Sequence, residues 1–299
     1  MLIEVRDTRL YVDRRGPEDA PPLLFLHGGP GAGSYDFMSF QGDRLSQQLQ
    51  VIGVDQRGVQ QSDPLTGPVT EHDVIADFEA LRETLGLETW SILGHSYGGR
   101  LAVRYAVMHP EAVTKVMFEN PGWDMVLATD TLLKAALPLL PGVEIPPHTG
   151  PATKQMWDER IALLGRLGDR RKEIYLGPET KSLALPSDTE LPEEIQSRAA
   201  RFSDEITRTA DFAESPLPLF AKITQPALLI KGEHDPATSP EEIARFQSDV
   251  PRGTYYFAEG AGHFVHAEQP ETFTKLITDF MLTPAGRRVV DSRSDPATS

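Results

Sequence analysis

Short apolar runs recur along this chain, each too brief for a helix, and longer stretches of helical spacing separate them. "LLFLHG" (Leu23 to Gly28), "VIGVD" (Val51 to Asp55), "SILG" (Ser91 to Gly94) and "KVMFEN" (Lys115 to Asn120) carry apolar residues in succession rather than in alternation. A strand that is apolar on both faces has to be covered on both faces, which is the condition of a parallel sheet flanked by helices. Residues 69–86 and 97–109 have helical spacing, with Gly86 and Pro110 as stops. After Pro121 the rhythm breaks. Residues 122–220 are rich in proline and charge and hold helical stretches such as "KQMWDERIALLGRL" and "PEEIQSRAARFSDEITRTADF". The strand pattern then resumes with "PALLIKGEHD" (Pro226 to Asp235) and "GTYYFAEGAGH" (Gly253 to His263), and "ETFTKLITDFML" closes it as a helix. At the amino terminus, "MLIEVRDTRLYVDRR" alternates apolar and polar residues as a strand hairpin does.

These elements predict an α/β fold, a doubly wound and mostly parallel sheet with a helical cap inserted after the sixth strand. The core is expected over residues 1–121 and 221–285 and the cap over 122–220, with a polar tail over 286–299. A chain of 299 residues, 39% hydrophobic and 24% charged, can bury such a core. Its 29 basic and 44 acidic residues give a formal charge of −15, which disfavours nucleic acid and anionic membrane surfaces as partners. Without cysteines, thiol catalysis, disulfides and cysteine-ligated metals are excluded. No basic segment followed by an apolar stretch opens the chain, and no apolar run approaches the ~18 residues of a membrane span. The expectation is therefore a cytoplasmic protein whose chemistry uses neither metal nor cofactor.

Chemistry concentrates first at "GHSYG" (Gly94 to Gly98), where an apolar strand meets a helix. A serine on so tight a turn is lifted clear of the sheet, and flanking glycines leave room where a β-carbon would collide. A hydroxyl is a poor nucleophile without a base, and the base needs an orienting partner. Among eight histidines, His263 lies in the glycine-rich "EGAGHF" just past the last strand, where the sites of such sheets gather. His266 follows as an orienter or a packing residue. His95 is expected to point away along the turn, and His109 to cap a helix end. Asp235, in the loop after "LLIKGEH", is the expected acid, with Glu233 a weaker alternative. The order Ser96, Asp235, His263 is that of α/β-hydrolase sheets. "HGGPG" (His27 to Gly31), directly after another strand, supplies a loop whose backbone N–H groups can face an oxyanion; those of Gly29 and Tyr97 are the expected donors.

With these residues in place the chain resembles the α/β-hydrolases, and within them the prolyl aminopeptidase (proline iminopeptidase) family, of which "HGGPG" and "DQRG" (Asp55 to Gly58) are the characteristic pair. The resemblance covers roughly residues 20–120 and 225–282. It implies Ser96, Asp235 and His263 as a catalytic triad, Gly29 and Tyr97 as oxyanion donors, and Asp55 and Arg57 as braces of neighbouring loops. It further implies release of an N-terminal proline or another small residue from short peptides, with cap carboxylates holding the substrate ammonium. Asp204, Glu205 and Glu214 are the candidates for that role. The family usually reads Gly-Gly-Ser-Trp-Gly at the elbow, where this chain has His95 and Tyr97, and a histidine before the serine is frequent in esterases. A carboxylesterase or lactonase acting on a small ester is therefore the alternative. A non-catalytic ligand-binding protein on the same fold is a third, although it has little reason to keep nucleophile, acid, base and oxyanion loop together.

Overall fold

The computed structural model describes residues 1–284, so the tail expected over 286–299 lies outside the described residues. Eight strands are present: β1 (Leu2–Val5), β2 (Thr8–Arg15), β3 (Pro22–Leu26), β4 (Gln50–Val54), β5 (Trp90–His95), β6 (Val113–Glu119), β7 (Ala227–Gly232) and β8 (Gly253–Ala258). They form one sheet in the order β1-β2-β4-β3-β5-β6-β7-β8. The hairpin β1–β2 is antiparallel and joins the sheet antiparallel to β4. From β4 to β8 every pairing is parallel. This is the α/β-hydrolase arrangement, with the chain's helical insertion placed after β6.

The continuous apolar runs have a direct explanation in the packing. Successive residues of a strand point to opposite faces, and each face here has its own core. Leu24, Leu26, Ile52, Val54, Ile92, Val116, Phe118 and Leu229 belong to one. Leu23, Phe25, Val51, Leu93, Met117, Leu228 and Ile230 belong to the other. Helix α1 (Glu71–Thr84) and helix α2 (Gly98–Met108) cover the first face. A capping box between Thr70 and Asp73 starts α1.

Between β6 and β7 the chain is helical, with α3 (Met125–Ala136), α4 (Lys154–Gly165) and α5 (Glu193–Ile206) as its longest elements. Leu132, Leu133 and Ala136 of α3 pack with Leu164, Leu167 and Ile174 in a small core of the cap's own. Helix α6 (Pro240–Asp249), begun by a second capping box between Ser239 and Glu242, completes the first face. On the second face lies α7 (Pro270–Leu282), through Phe273, Leu276, Ile277 and Phe280. No helix among the described residues is long and apolar enough to cross a membrane.

Cap and core are joined by a buried charge. Arg100 of α2 is fully buried and donates through Nε to Glu71, also fully buried, at 3.0 Å. Its guanidinium also donates to the carbonyls of Asp211 (3.0 Å), Phe212 (3.2 Å) and Glu214 (3.1 Å) at the end of the cap. Arg104 adds an ion pair to the other oxygen of Glu71 at 2.7 Å. Removing one member of a buried pair strands the other and costs far more than a surface pair does. Arg100→Met is expected to lower unfolding free energy by about 3 kcal/mol, read as a shift of the urea midpoint at unchanged m-value.

Candidate active site

The turn after β5 is built by close backbone approach. Ser96 has φ +53°, a left-handed conformation uncommon for any residue but glycine. Its N–H donates to the Glu119 carbonyl at 3.0 Å, and its own carbonyl accepts from Gly99 N (2.9 Å) and Gly122 N (3.2 Å). At Gly98 a β-carbon would stand 2.1 Å from the Leu26 carbonyl oxygen, so only glycine lets α2 start this close to β3. Within residues 90–100 every residue is buried except Ser96, which is half-buried. The elbow thus singles out one hydroxyl for access.

The "HGGPG" loop lies directly against it. A β-carbon on Gly28 would come within 2.8 Å of Ser96 Cβ, so the loop runs past the serine at backbone distance. Gly29 is held at φ +112°. Tyr97 is the N-cap of α2, where N–H groups have no intrahelical acceptor. Gly29 and Tyr97 therefore sit on the two loops that flank Ser96. His27 anchors the first loop by accepting the Gln56 N–H through Nε2 at 3.2 Å, and burial pushes its imidazole down to about 4, so it is neutral. Asp55 braces the second layer, accepting Ser34 N (2.8 Å), Ser34 Oγ (2.9 Å) and Gln61 N (3.1 Å). Arg57 pairs with the buried Asp77 (2.5 Å) and the exposed Asp7 (2.9 Å).

His263 and Asp235 meet where β7 and β8 end. His263 Nδ1 lies 2.6 Å from Asp235 Oδ1, and both side chains are buried. That contact is made through Nδ1 rather than Nε2. Asp235 also accepts Ala237 N (3.0 Å, Oδ1) and Thr238 N (3.0 Å, Oδ2). Burial pushes this carboxyl up, but the Lys231 charge, the His263 hydrogen bond and the Thr238 amide together hold it well below the ordinary carboxylate range. The weaker candidate, Glu233, is exposed and accepts Gly260 N at 2.8 Å.

His95 does not turn away as expected. It is the last residue of β5, so strand alternation puts it on the same face as Leu93, towards the base. Its ring centroid is 4.7 Å from that of His263, and its Nε2 is 3.1 Å from the His263 carbonyl. Burial pushes it down to about 3, which keeps it neutral beside the base. His266 pairs through Nδ1 with Glu119 at 2.9 Å, and its N–H donates to the same carboxylate at 2.8 Å. Burial pushes the Glu119 carboxyl up, yet the His266 charge and hydrogen bond hold it below its usual range. His95, Glu119 and His266 are close enough to share an ion among the described residues. The direct Glu119–His266 hydrogen bonds account for the group without one. His109 is the C-cap of α2.

Several residues that hold His263 escape a reading by motif. Asn120, at φ +42°, donates through Nδ2 to the carbonyls of Gly262 and His263, 2.9 Å each, and accepts Gly232 N at 2.8 Å. An asparagine at the end of an apolar strand, tolerant of the left-handed region, is the only local signal of this tie. The Tyr175 carbonyl, in the cap, accepts His263 N–H at 2.6 Å. Glu268 gathers Gly262 N (3.0 Å), Phe264 N (3.0 Å) and the cap's Gly177 N (2.7 Å).

The three cap carboxylates are placed differently from one another. Asp204 is exposed and committed to Lys154 (3.1 Å) and Arg208 (2.9 Å), the geometry of a surface ion-pair network. Glu205 is half-buried. Glu214 is exposed, and its carbonyl rather than its carboxylate receives Arg100 and Arg104.

The family described as alpha/beta hydrolase fold matches residues 21–144, and that described as TAP-like protein matches residues 209–289. A proline iminopeptidase from Xylella fastidiosa is 39% identical over 115 residues, a match that spans 38% of this chain and only 36% of that relative's length. A proline iminopeptidase from Heyndrickxia coagulans is 24% identical over 278 residues, 87% of this chain and 90% of the relative. Among solved structures, a proline iminopeptidase-related protein from Thermus thermophilus superposes with a TM-score of 0.75 at 22% identity, over 94% of this chain and 96% of that one. A thermophilic esterase from Thermogutta terrifontis gives 0.71 at 18% identity, over 94% and 98%. The chain has the α/β-hydrolase fold, and in sequence it is similar to the proline iminopeptidases.

Proposed function

We propose that this protein is a serine hydrolase working through an acyl-enzyme, and that its substrates are short peptides from which it removes an N-terminal proline or another small residue. The observation that carries the reading is the buried 2.6 Å pair between His263 Nδ1 and Asp235 Oδ1, at the sheet edge that also presents the half-buried Ser96. Ser96 Oγ attacks the scissile carbonyl while His263 Nε2 accepts its proton. Asp235, fixed by two backbone amides, orients the imidazole and steadies the imidazolium. The N–H groups of Gly29 and Tyr97 receive the developing oxyanion. His263 then returns the proton to the leaving amine, and water, deprotonated by the same imidazole, releases the acyl group.

Ser96→Ala is expected to lower kcat by about a million-fold, with His263→Ala of similar size because the two act as one unit. Far-UV circular dichroism and unfolding curves like those of the wild type should accompany the loss. Turnover of Ser96→Ala within tenfold of the wild type would refute the assignment.

A second reading, a carboxylesterase or lactonase for small esters, is favoured by one observation: Asp204 is committed to Lys154 and Arg208 and offers no free carboxylate for a substrate ammonium. Proline β-naphthylamide and p-nitrophenyl acetate separate the two. The peptidase reading expects a kcat/KM for the amide well above that for its N-acetylated counterpart, which lacks the ammonium. Fast ester turnover with no cleavage of the amide would establish the second reading instead.

A further inference from the structure

One cation sits inside the site and has no part in the chemistry just described. Lys231 lies in β7, at the end of an apolar run, and is buried to 6% exposure. Burying an ammonium is costly unless each of its three donors finds a partner. Here each does: the Gly232 carbonyl at 2.5 Å, the Asp235 carbonyl at 2.8 Å and the Asp235 carboxylate, through Oδ2, at 3.3 Å. The other oxygen of that carboxylate, Oδ1, is the one in contact with His263. Lysine and imidazole therefore share a single carboxylate, one on each oxygen.

From this geometry we infer that Lys231 is a positioning residue that partly neutralises Asp235 from its far oxygen, so that the His263 base stays unprotonated, and the enzyme active, further towards acid. The reasoning is electrostatic. An aspartate facing an imidazole alone forms a neutral pair when the imidazole takes a proton. With Lys231 behind it, the same protonation leaves a net positive charge in a buried place, and like charges a few ångströms apart repel strongly there. The carboxylate itself is held in place by the Ala237 and Thr238 amides, so the lysine's contribution is its charge.

The other titratable groups facing this pair do not duplicate the effect. His95, from β5, is neutral through burial. Tyr175, from the cap, has its ring 5.2 Å from that of His263, and burial pushes its hydroxyl up, so it too is uncharged. Arg171 lies over the Tyr175 ring at 5.7 Å and is exposed to solvent. Glu119 is engaged by His266, with His95 between that pair and the base, and the Glu268 carboxylate is taken up by the amides of Gly262, Phe264 and Gly177.

The inference rests on the assignment of His263 as base, and the experiment separates the two. A fluorophosphonate probe first tests labelling of Ser96 in the wild type and each variant. Absence of labelling in the folded wild type refutes the serine-hydrolase reading. The pH profile of kcat/KM, on whichever of the two substrates is turned over, then tests Lys231. Lys231→Met removes charge and donors, Lys231→Gln removes the charge but keeps a donor, and Lys231→Arg keeps the charge. With the cation gone, the imidazolium is stabilised and the acid limb of the profile moves to higher pH. In the Met and Gln variants the shift is expected to be about one pH unit, roughly a tenfold loss of kcat/KM on the acid side. KM and the alkaline plateau should stay within about twofold, because the lysine touches no substrate. Lys231→Arg should leave the limb in place. If the Met variant does not fold, the Gln variant decides. Labelled, active Gln enzyme with an unmoved acid limb overturns the inference, as does an equal shift in Lys231→Arg; a uniform fall in kcat at every pH would make Lys231 a structural anchor only.

Discussion

A serine at φ +53° does not stay there unaided, because the left-handed region costs a non-glycine residue about 1–2 kcal/mol. What holds Ser96 in it is the packing of backbone against backbone around the elbow: β6 receives its N–H, α2 and the loop after β6 donate to its carbonyl, and the first turn of α2 abuts β3 with no room for a side chain. Every other part of the site is referred to this point. The "HGGPG" loop follows β3 and passes Ser96 at backbone distance, so the glycine that lets α2 in also fixes how near that loop comes. The strain is local, and the sheet carries it.

The second theme is that the site is held by buried charge. Beneath the elbow, Glu71 is neutralised by Arg100 and Arg104. Beside the base, Glu119 is engaged by His266, and behind it Asp235 is shared by His263 and Lys231. Buried pairs of this kind add little net stability compared with apolar packing, but an unpaired partner is severely penalised. They act as registration marks, permitting one arrangement of loops and making others expensive.

Much of this was legible from the sequence, and the limits have physical causes. The strands declared themselves because residues that face two cores must be apolar at consecutive positions, as Leu23 to Leu26 are. Strand ends such as Gln50 and Val113 were less clear because polar residues enter where a pairing begins. That Ser96, Asp235 and His263 lie past the ends of β5, β7 and β8, at one edge of the sheet, was legible from chain order. Helix α6 carries its mark not in periodicity but in its start, where Ser239, Pro240 and Glu242 form a capping box. The direction of His95 was not legible, because the turn at Ser96 obscures which face of β5 it continues. Nor was the ion pairing of Asp204, whose partner Lys154 lies fifty positions away in another helix. Lys231 carries no signal of its role in the sequence, because only the fold of the following turn reveals what it neutralises.

The bond from the His263 backbone N–H to the Tyr175 carbonyl makes the cap part of the scaffold of the His263 loop. A β-carbon on Gly262 would stand 2.3 Å from that same carbonyl oxygen, so cap and loop meet there without intervening side chains. A hinged lid could swing open and leave the catalytic groups undisturbed. Here the two surfaces are geared together: wherever the cap shifts at Tyr175, the loop bearing the imidazole has to shift with it. The position of the cap at Tyr175 and that of the His263 imidazole are thereby one geometric variable rather than two.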